Sequence, residues 1–284
     1  MIPSSFDYKR ATSLDDALAK LRAANGDGKF LAGGHSLIPV MKLRLSEPKV
    51  LIDIARIPGL AGIKQVDGKI EIGAATVHHE VATSALLRKE CPVMSDAAAA
   101  IGDPQVRNRG TLGGSLAHAD PAADYPAAML AVDAEIHLKG VNGSRVVKAS
   151  DFFRGLFSVD LAADELIVAV RFNPAKASAY AKLYQRASHF AIVGVAAAID
   201  AGGGTIKSAR VGLTGASSHA QRLEDVEKAL AGKPLSPASI DSATRQAGAA
   251  VDDINADIHG SSEYRRAMIP VFAKRALQAA LARA

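Results

Sequence analysis

Two stretches of the chain pair glycines with a nearby hydroxyl. One reads Leu31-Ala32-Gly33-Gly34-His35-Ser36-Leu37, the other Gly110-Thr111-Leu112-Gly113-Gly114-Ser115-Leu116. Without a Cβ, glycine lets backbone N–H groups crowd an anion. Successive amides of that kind form a nest for phosphate oxygens, and a serine or threonine hydroxyl adds a donor. Two such loops meeting in space would hold a diphosphate, one phosphate each. Read singly, each is also compatible with an ordinary glycine turn.

The second stretch runs on through His118 and Asp120-Pro121 to Asp124-Tyr125-Pro126. Asp124 stands at or near a helix start, where a carboxylate caps the helix or accepts from ribose hydroxyls. His118, Asp120 and Asp124 are also metal-ligating types, although carboxylates before a helix ordinarily cap it. His78-His79 opens another helix, where solvated or capping histidines are the default. No Gly-x-Gly-x-x-Gly follows a strand and no Walker A motif is present. Gly202-Gly203-Gly204 suits a tight turn between strands. No Ser-His-Asp or Cys-His set can be assembled. Cys91 is the single cysteine. That excludes an internal disulfide, a self-contained iron–sulfur cluster and a multi-thiolate zinc site; Cys91 reads as a structural thiol.

The elements that must position these residues are mixed. Phe6–Tyr8 reads as a strand. Ser13 caps a helix whose apolar face is Leu14, Ala17, Leu18 and Leu21, ending at Asn25-Gly26. Lys29–Ala32 is a strand leading into Gly33-Gly34; a short helix over 38–45 and a strand over 50–54 follow. Asp67-Gly68 and Asn142-Gly143 are hairpin turns. Helices are expected over 78–87, 92–100 and 122–132, with a loop over 102–115 between the last two and Pro92 in the first turn of its helix. A strand over 165–172 precedes a boundary at Asn173-Pro174. Three antiparallel strands over 180–185, 192–199 and 206–214 follow, then an Ala-rich helical remainder with its strongest helix over 264–282. The pattern is α+β, with hairpins in place of regular βαβ alternation.

Composition is that of a globular protein: 284 residues, 49% hydrophobic and 22% charged. The net charge of +5 is scattered, Trp is absent and aromatics are 5%. A nucleic-acid binder would carry a basic stripe with interleaved aromatics, so no nucleic-acid partner is expected. The run Ala191–Ile199 falls well short of the roughly 20 apolar residues of a membrane helix. Residues 1–10 lack the apolar core of a secretory signal. The expectation is a cytoplasmic protein with no integral membrane segment.

Taken together, Ala32–Lys42 and Asp103–Ser115, with Asp120-Pro121 and Asp124 downstream, resemble the two cofactor loops of the FAD-binding medium subunits of molybdenum hydroxylases. The resemblance runs the length of the chain and is strongest to the copper–molybdenum carbon monoxide dehydrogenase branch. It implies a two-domain FAD-binding fold of the vanillyl-alcohol oxidase type over 1–176. It also implies a C-terminal domain over 177–284, a three-stranded antiparallel sheet with a helical bundle. Residue by residue, it places Ala32, Gly33, Gly34, His35 and Ser36, with Thr111, Leu112, Gly113, Gly114 and Ser115, on the FAD pyrophosphate. It places Asp124 by the adenosine-side ribose, Ile101 and Ile167 in apolar contact with the cofactor, Lys182 near the flavin, and Phe190 beside the isoalloxazine ring. Ser115 replaces the Asn or Asp common in the family, and Ser188-His189-Phe190 replaces Gly-Asp-aromatic.

The implied role is electron relay. FAD on this chain would take electrons from a small subunit carrying two iron–sulfur clusters, while a large subunit carries the molybdenum cofactor. An external acceptor such as a quinone would receive them. The absence of cluster-forming cysteines agrees with such a division of labour. No side chain is required as acid or base, so no catalytic residue is named. A stand-alone flavin oxidoreductase and a scaffold subunit without flavin are the other readings.

Overall fold

A computed structural model describes all residues from Met1 to Ala284. The N-terminal part opens with a three-stranded parallel sheet. Its strands are Asp7–Arg10, Gly28–Leu31 and Val50–Asp53, with the third strand in the middle. The helix Leu14–Ala23 crosses between the first two. The Ser13 side chain caps it by accepting from the Asp16 amide, as its sequence predicts. Parallel strands need such crossovers, so this corner does contain βαβ units that the hairpin-dominated reading passes over.

The second sheet has five strands in the order Ile63–Val66, Lys69–Gly73, Glu165–Phe172, Glu135–Gly140, Gly143–Lys148. Every pairing in it is antiparallel. Asp67-Gly68 turns the first hairpin, with both residues at positive φ. The inward residues Ile70, Ile72, Ile136 and Leu138 are fully buried. Two helices were expected next, but the first is broken. His78–Thr83 ends at Ser84, which is extended and caps Ala85–Glu90 through its side chain. Ser84 thus competes with the helix for the Leu87 amide. Pro92 begins Pro92–Ala100 as expected.

The region expected as a loop over 102–115 holds two short helices, Pro104–Arg107 and Leu112–His118. Asp103 and Thr111 cap them through their side chains. The glycines therefore lie in the first turn of a helix rather than in a free loop. The helix Tyr125–Ala131 follows and is buried throughout.

The C-terminal sheet runs Ser178–Tyr184, Ala191–Gly202, Thr205–Thr214, Gln221–Arg222 in spatial order. Gly203 and Gly204 turn its central hairpin with φ of 61° and 74°. The fourth strand is two residues long and was not foreseen. Helices Glu224–Leu230, Pro237–Thr244 and Ser262–Leu281 pack on the sheet. No helix is long and apolar enough to cross a membrane.

Buried apolar side chains fall into two clusters, one built mainly from residues 11–172 and the other from 177–280. Pro92–Ala100 and Tyr125–Ala131 pack on the strands of the C-terminal sheet and join the two parts, and the approach is close. A Cβ on Gly212 would run into the Ala127 carbonyl.

Candidate functional site

The two glycine stretches do meet. Gly33 lies against the backbone of Arg109 and Gly110; a Cβ there would overlap the Arg109 carbonyl oxygen. Beyond that contact the two differ in what they offer. The amides of Ala32 through Leu37 donate to no group of the protein. Gly34 takes a left-handed φ of 76° within this stretch. Ser36 precedes the helix Leu37–Lys42 without capping it, so its hydroxyl is also uncommitted. His35 is exposed, with Nδ1 3.2 Å from the Gly33 carbonyl.

The second stretch is different. The Leu112 amide donates to Thr76 O, Gly113 to Ala74 O, Gly114 to Thr111 Oγ1 and Ser115 to Thr111 O. Its backbone donors are spent on its own helix and on the neighbouring strand end. Uncommitted backbone amides are thus found in the first stretch and not over Leu112–Ser115. The cause is the Thr111 cap, which makes the segment helical. Leu112, Gly113 and Leu116 face the core, and Gly113 packs so tightly that a Cβ would lie 2.6 Å from Ala74 Cβ. Gly114 and Ser115 are turned outward. A Cβ on Gly114 would meet only Thr111 Oγ1, at 2.8 Å. This stretch therefore presents the bare backbone of Gly114 and the Ser115 hydroxyl.

His78 lies beneath the junction, 5% exposed, and a Cβ on Gly110 would be 2.5 Å from its Nε2. Burial, with the charges of His35 and Arg107, lowers its pKa to about 4. It is neutral there, and its ring leans on Tyr125 at 5.3 Å between centroids. The expectation of a solvated or capping histidine at this helix start fails for His78, because its ring is packed under Gly110 and against Tyr125.

Asp124 and Lys182 form a buried ion pair between the two parts of the chain, Nζ to Oδ1 2.8 Å, each side chain 5% exposed. The Tyr180 hydroxyl also donates to Asp124 Oδ1, at 2.7 Å. Burial pushes the Asp124 carboxyl up, against the pull of the Lys182 ammonium and the Tyr180 hydroxyl. Lys182 Nζ donates further to the carbonyls of Ala100 and His189, 2.6 Å each. Its three protons are thus all committed to the protein. Asp124 precedes its helix without a capping bond. Both residues are engaged with partners inside the protein. They fasten the Ile101–Gly102 turn to the His189–Phe190 turn. Arg107 holds the same turn by donating to the Ile101 and Gly102 carbonyls at 2.9 and 3.0 Å.

Ile101 is partly buried at the edge of the first core. Ile167, 5% exposed, is a core residue whose side chain is used in packing. Phe190 is partly buried against the second core and meets His259 edge to face at 5.4 Å. His118 and Asp120 stand 4.0 Å apart, while Asp124 is held by Lys182, so those three do not converge. Cys91 is fully buried, its thiol pushed up to about 12 by burial.

The donor set fits a dinucleotide diphosphate. A row of open amides with adjoining hydroxyls faces a helix start that offers a glycine surface, and such donors are suited to phosphate oxygens.

Comparison with known proteins agrees. Residues 4–175 match the FAD binding domain in molybdopterin dehydrogenase, and residues 178–280 match the CO dehydrogenase flavoprotein C-terminal domain. The chain is 40% identical to the carbon monoxide dehydrogenase medium chain of Hydrogenophaga pseudoflava, covering 100% of this chain and 99% of that one. It is 36% identical to the nicotine 6-hydroxylase medium subunit of Paenarthrobacter nicotinovorans, over 97% of both. The solved carbon monoxide dehydrogenase of Hydrogenophaga pseudoflava superposes with a TM-score of 0.94 at 41% identity, over 100% and 99% of the two chains. Quinoline 2-oxidoreductase from Pseudomonas putida 86 gives 0.92 at 31% identity, over 99% of each. This chain belongs to the family of FAD-binding medium subunits of molybdenum hydroxylases.

Proposed function

We propose that this chain relays electrons within a molybdenum hydroxylase, from the iron–sulfur clusters of a small partner subunit to an external acceptor such as a quinone. A large partner subunit would carry the molybdenum cofactor. The observation that carries the reading is the row of uncommitted amides from Ala32 to Leu37, set against the Gly114 and Ser115 surface. Bound FAD supplies the redox chemistry, accepting two electrons and passing them on. The protein's part is to bind and orient. The amides of Ala32–Ser36 and the Ser36 and Ser115 hydroxyls would hold the diphosphate. Gly33, packed on Arg109, keeps the two stretches in contact. Asp124 and Lys182 hold the Ala100 helix end beside the His189 turn, and with them Ile101 and Phe190. We place the division between the FAD-binding part and the C-terminal part at residue 176, between the two cores.

Substrate choice lies elsewhere. The relatives named for carbon monoxide, nicotine and quinoline share this chain's length and fold. A medium chain that is common to such different substrates does not select among them. A cytoplasmic location is part of this proposal.

The test is anaerobic. In the assembled complex, adding the hydroxylase substrate bleaches the flavin absorbance. Without the small subunit, the same substrate leaves it unchanged. Bleaching of the isolated chain by a substrate of its own would replace relay with a stand-alone oxidoreductase.

A further inference from the structure

The helix Pro92–Ala100 lies along the strand Ser178–Tyr184 and is tied to it by a row of polar bonds whose last member is at Ala100. We propose that Arg283 is a positioning residue for the Ile101–Gly102 turn, acting through Asp96 and this helix, which rests on the reading of the chain as an FAD subunit.

Two periodicities build the row. Ser178, Tyr180 and Lys182 alternate along the edge strand of the C-terminal sheet and share a face. Val93, Asp96 and Ala100 follow one another at intervals of three and four residues and share a face of the helix. The bonds join them in order. Ser178 Oγ accepts from the Val93 amide at 3.2 Å, Asp96 Oδ2 accepts from the Tyr180 amide at 3.4 Å, and Lys182 Nζ donates to the Ala100 carbonyl at 2.6 Å.

Asp96 is the charged residue in a helix that otherwise reads Pro-Val-Met-Ser before it and four alanines after it. Most of that helix is buried, while Asp96 stays partly exposed. Arg283 supplies its counter-charge. Nη1 and Nη2 donate to the two carboxylate oxygens at 2.6 and 3.3 Å, and Nη1 also donates to the Ser178 carbonyl at 2.6 Å. Arg283 stands just after the helix Ser262–Leu281, which packs on the strands Ser178–Tyr184 and Ala191–Gly202. One guanidinium thus grips the helix of the N-terminal part and the strand of the C-terminal part together.

The grip sets the register between them. A planar fork on a carboxylate fixes direction as well as distance. The Lys182 ammonium is a point charge on a flexible stem and tolerates sliding. The Ala100 carbonyl alone therefore does not fix where the helix ends; Asp96, one turn earlier, does. Ala100 is the last helical residue, and the Ile101 and Gly102 carbonyls that follow accept from Arg107. A slip at Asp96 is carried along the helix to that turn.

The experiment compares wild type with Arg283→Ala, Arg283→Lys, Asp96→Asn and Lys274→Ala in the assembled complex. Lys274, paired with Asp241, is the control from the last helix. Three quantities are read: hydrogen exchange over residues 99–103, the FAD dissociation constant after flavin removal, and the visible circular dichroism of bound flavin. In Arg283→Ala exchange is expected to quicken and FAD to weaken, each about fivefold, as for coupling carried through a packed element, and the flavin dichroism to change. Arg283→Lys, which keeps the charge but not the fork, should fall between, and Lys274→Ala should match wild type. A merely structural role would lower the unfolding midpoint while leaving 99–103 exchange and flavin dichroism as in wild type, and that result overturns the proposal. So does a Lys274→Ala variant that loses as much as Arg283→Ala. Should Arg283→Ala not fold, Arg283→Lys and Asp96→Asn carry the same test. Wild-type complex that binds no FAD would remove the electron-relay reading, while exchange over 99–103 would still decide whether Arg283 positions the turn.

Discussion

Lys182→Met removes the cation that joins Asp124 to the Ala100 and His189 carbonyls, and its cost follows from the geometry. The ammonium leaves Asp124, the Ala100 carbonyl and the His189 carbonyl without their donor. Asp124 keeps only the Tyr180 hydroxyl. Both side chains of the pair are 5% exposed, so water does not substitute. Breaking a buried pair from one side costs about 3–5 kcal/mol, mostly as the penalty of the remaining charge. Each orphaned carbonyl adds on the order of 1 kcal/mol, not fully additively. We expect a loss of about 4 kcal/mol, a large part of the ~5–15 kcal/mol typical of a whole domain. Asp124→Asn retains the shape and a bond to Tyr180, and should cost about 2–3 kcal/mol by the same reasoning. The double variant removes both charges and should cost less than the sum by at least ~1.5 kcal/mol. The chain has no tryptophan, so urea unfolding is followed by far-UV circular dichroism. A Lys182→Met loss under ~1 kcal/mol, or additive single losses within ~0.5 kcal/mol, would refute the coupled pair.

His78 gives a pH prediction. Its folded pKa of about 4 lies below the ordinary 6.5. As pH falls through 6.5 the unfolded chain takes up the proton first, so stability present above that pH is lost towards pH 4. The depression corresponds to about 3 kcal/mol, and His78→Gln should flatten that limb of the urea-midpoint profile; an unaltered profile contradicts the buried neutral ring. Gly33→Ala drives a Cβ into the Arg109 carbonyl and should cost about 1–3 kcal/mol as overpacking, read by thermal unfolding. Gly114→Val meets only the Thr111 hydroxyl and should retain the fold while abolishing FAD binding; unchanged affinity in the folded variant removes Gly114 from the site. Cys91 should resist a thiol reagent in the native state and release one equivalent in urea, and rapid native labelling would show that it is not buried.

Local signals in the sequence account for much of the fold. Ser13, Asp67-Gly68, Pro92 and the Gly202–Gly204 turn act where short-range chemistry places them. The strand Glu165–Phe172 also stands where its apolar run predicts. What escaped was decided at long range. Thr111 and the two following glycines look like a loop until the Ala74 and Thr76 carbonyls take up the Leu112 and Gly113 amides. Strand order is invisible for the same reason: nothing in Val50–Asp53 announces that it will lie between the two strands before it.

The candidate site divides similarly. The glycine pattern located both stretches, but not which one keeps its amides open. Lys182 was located by its likeness to a family position. Its commitment to Asp124 and two carbonyls depends on three segments, 100, 124 and 189, that are distant in sequence.

The most direct test of the account is an FAD titration of the purified chain, followed by flavin fluorescence and visible absorbance. The account predicts saturable binding at one FAD per chain, in the isolated chain or on assembly with the large and small subunits. Failure to bind in both preparations would contradict it and leave a scaffold subunit without flavin.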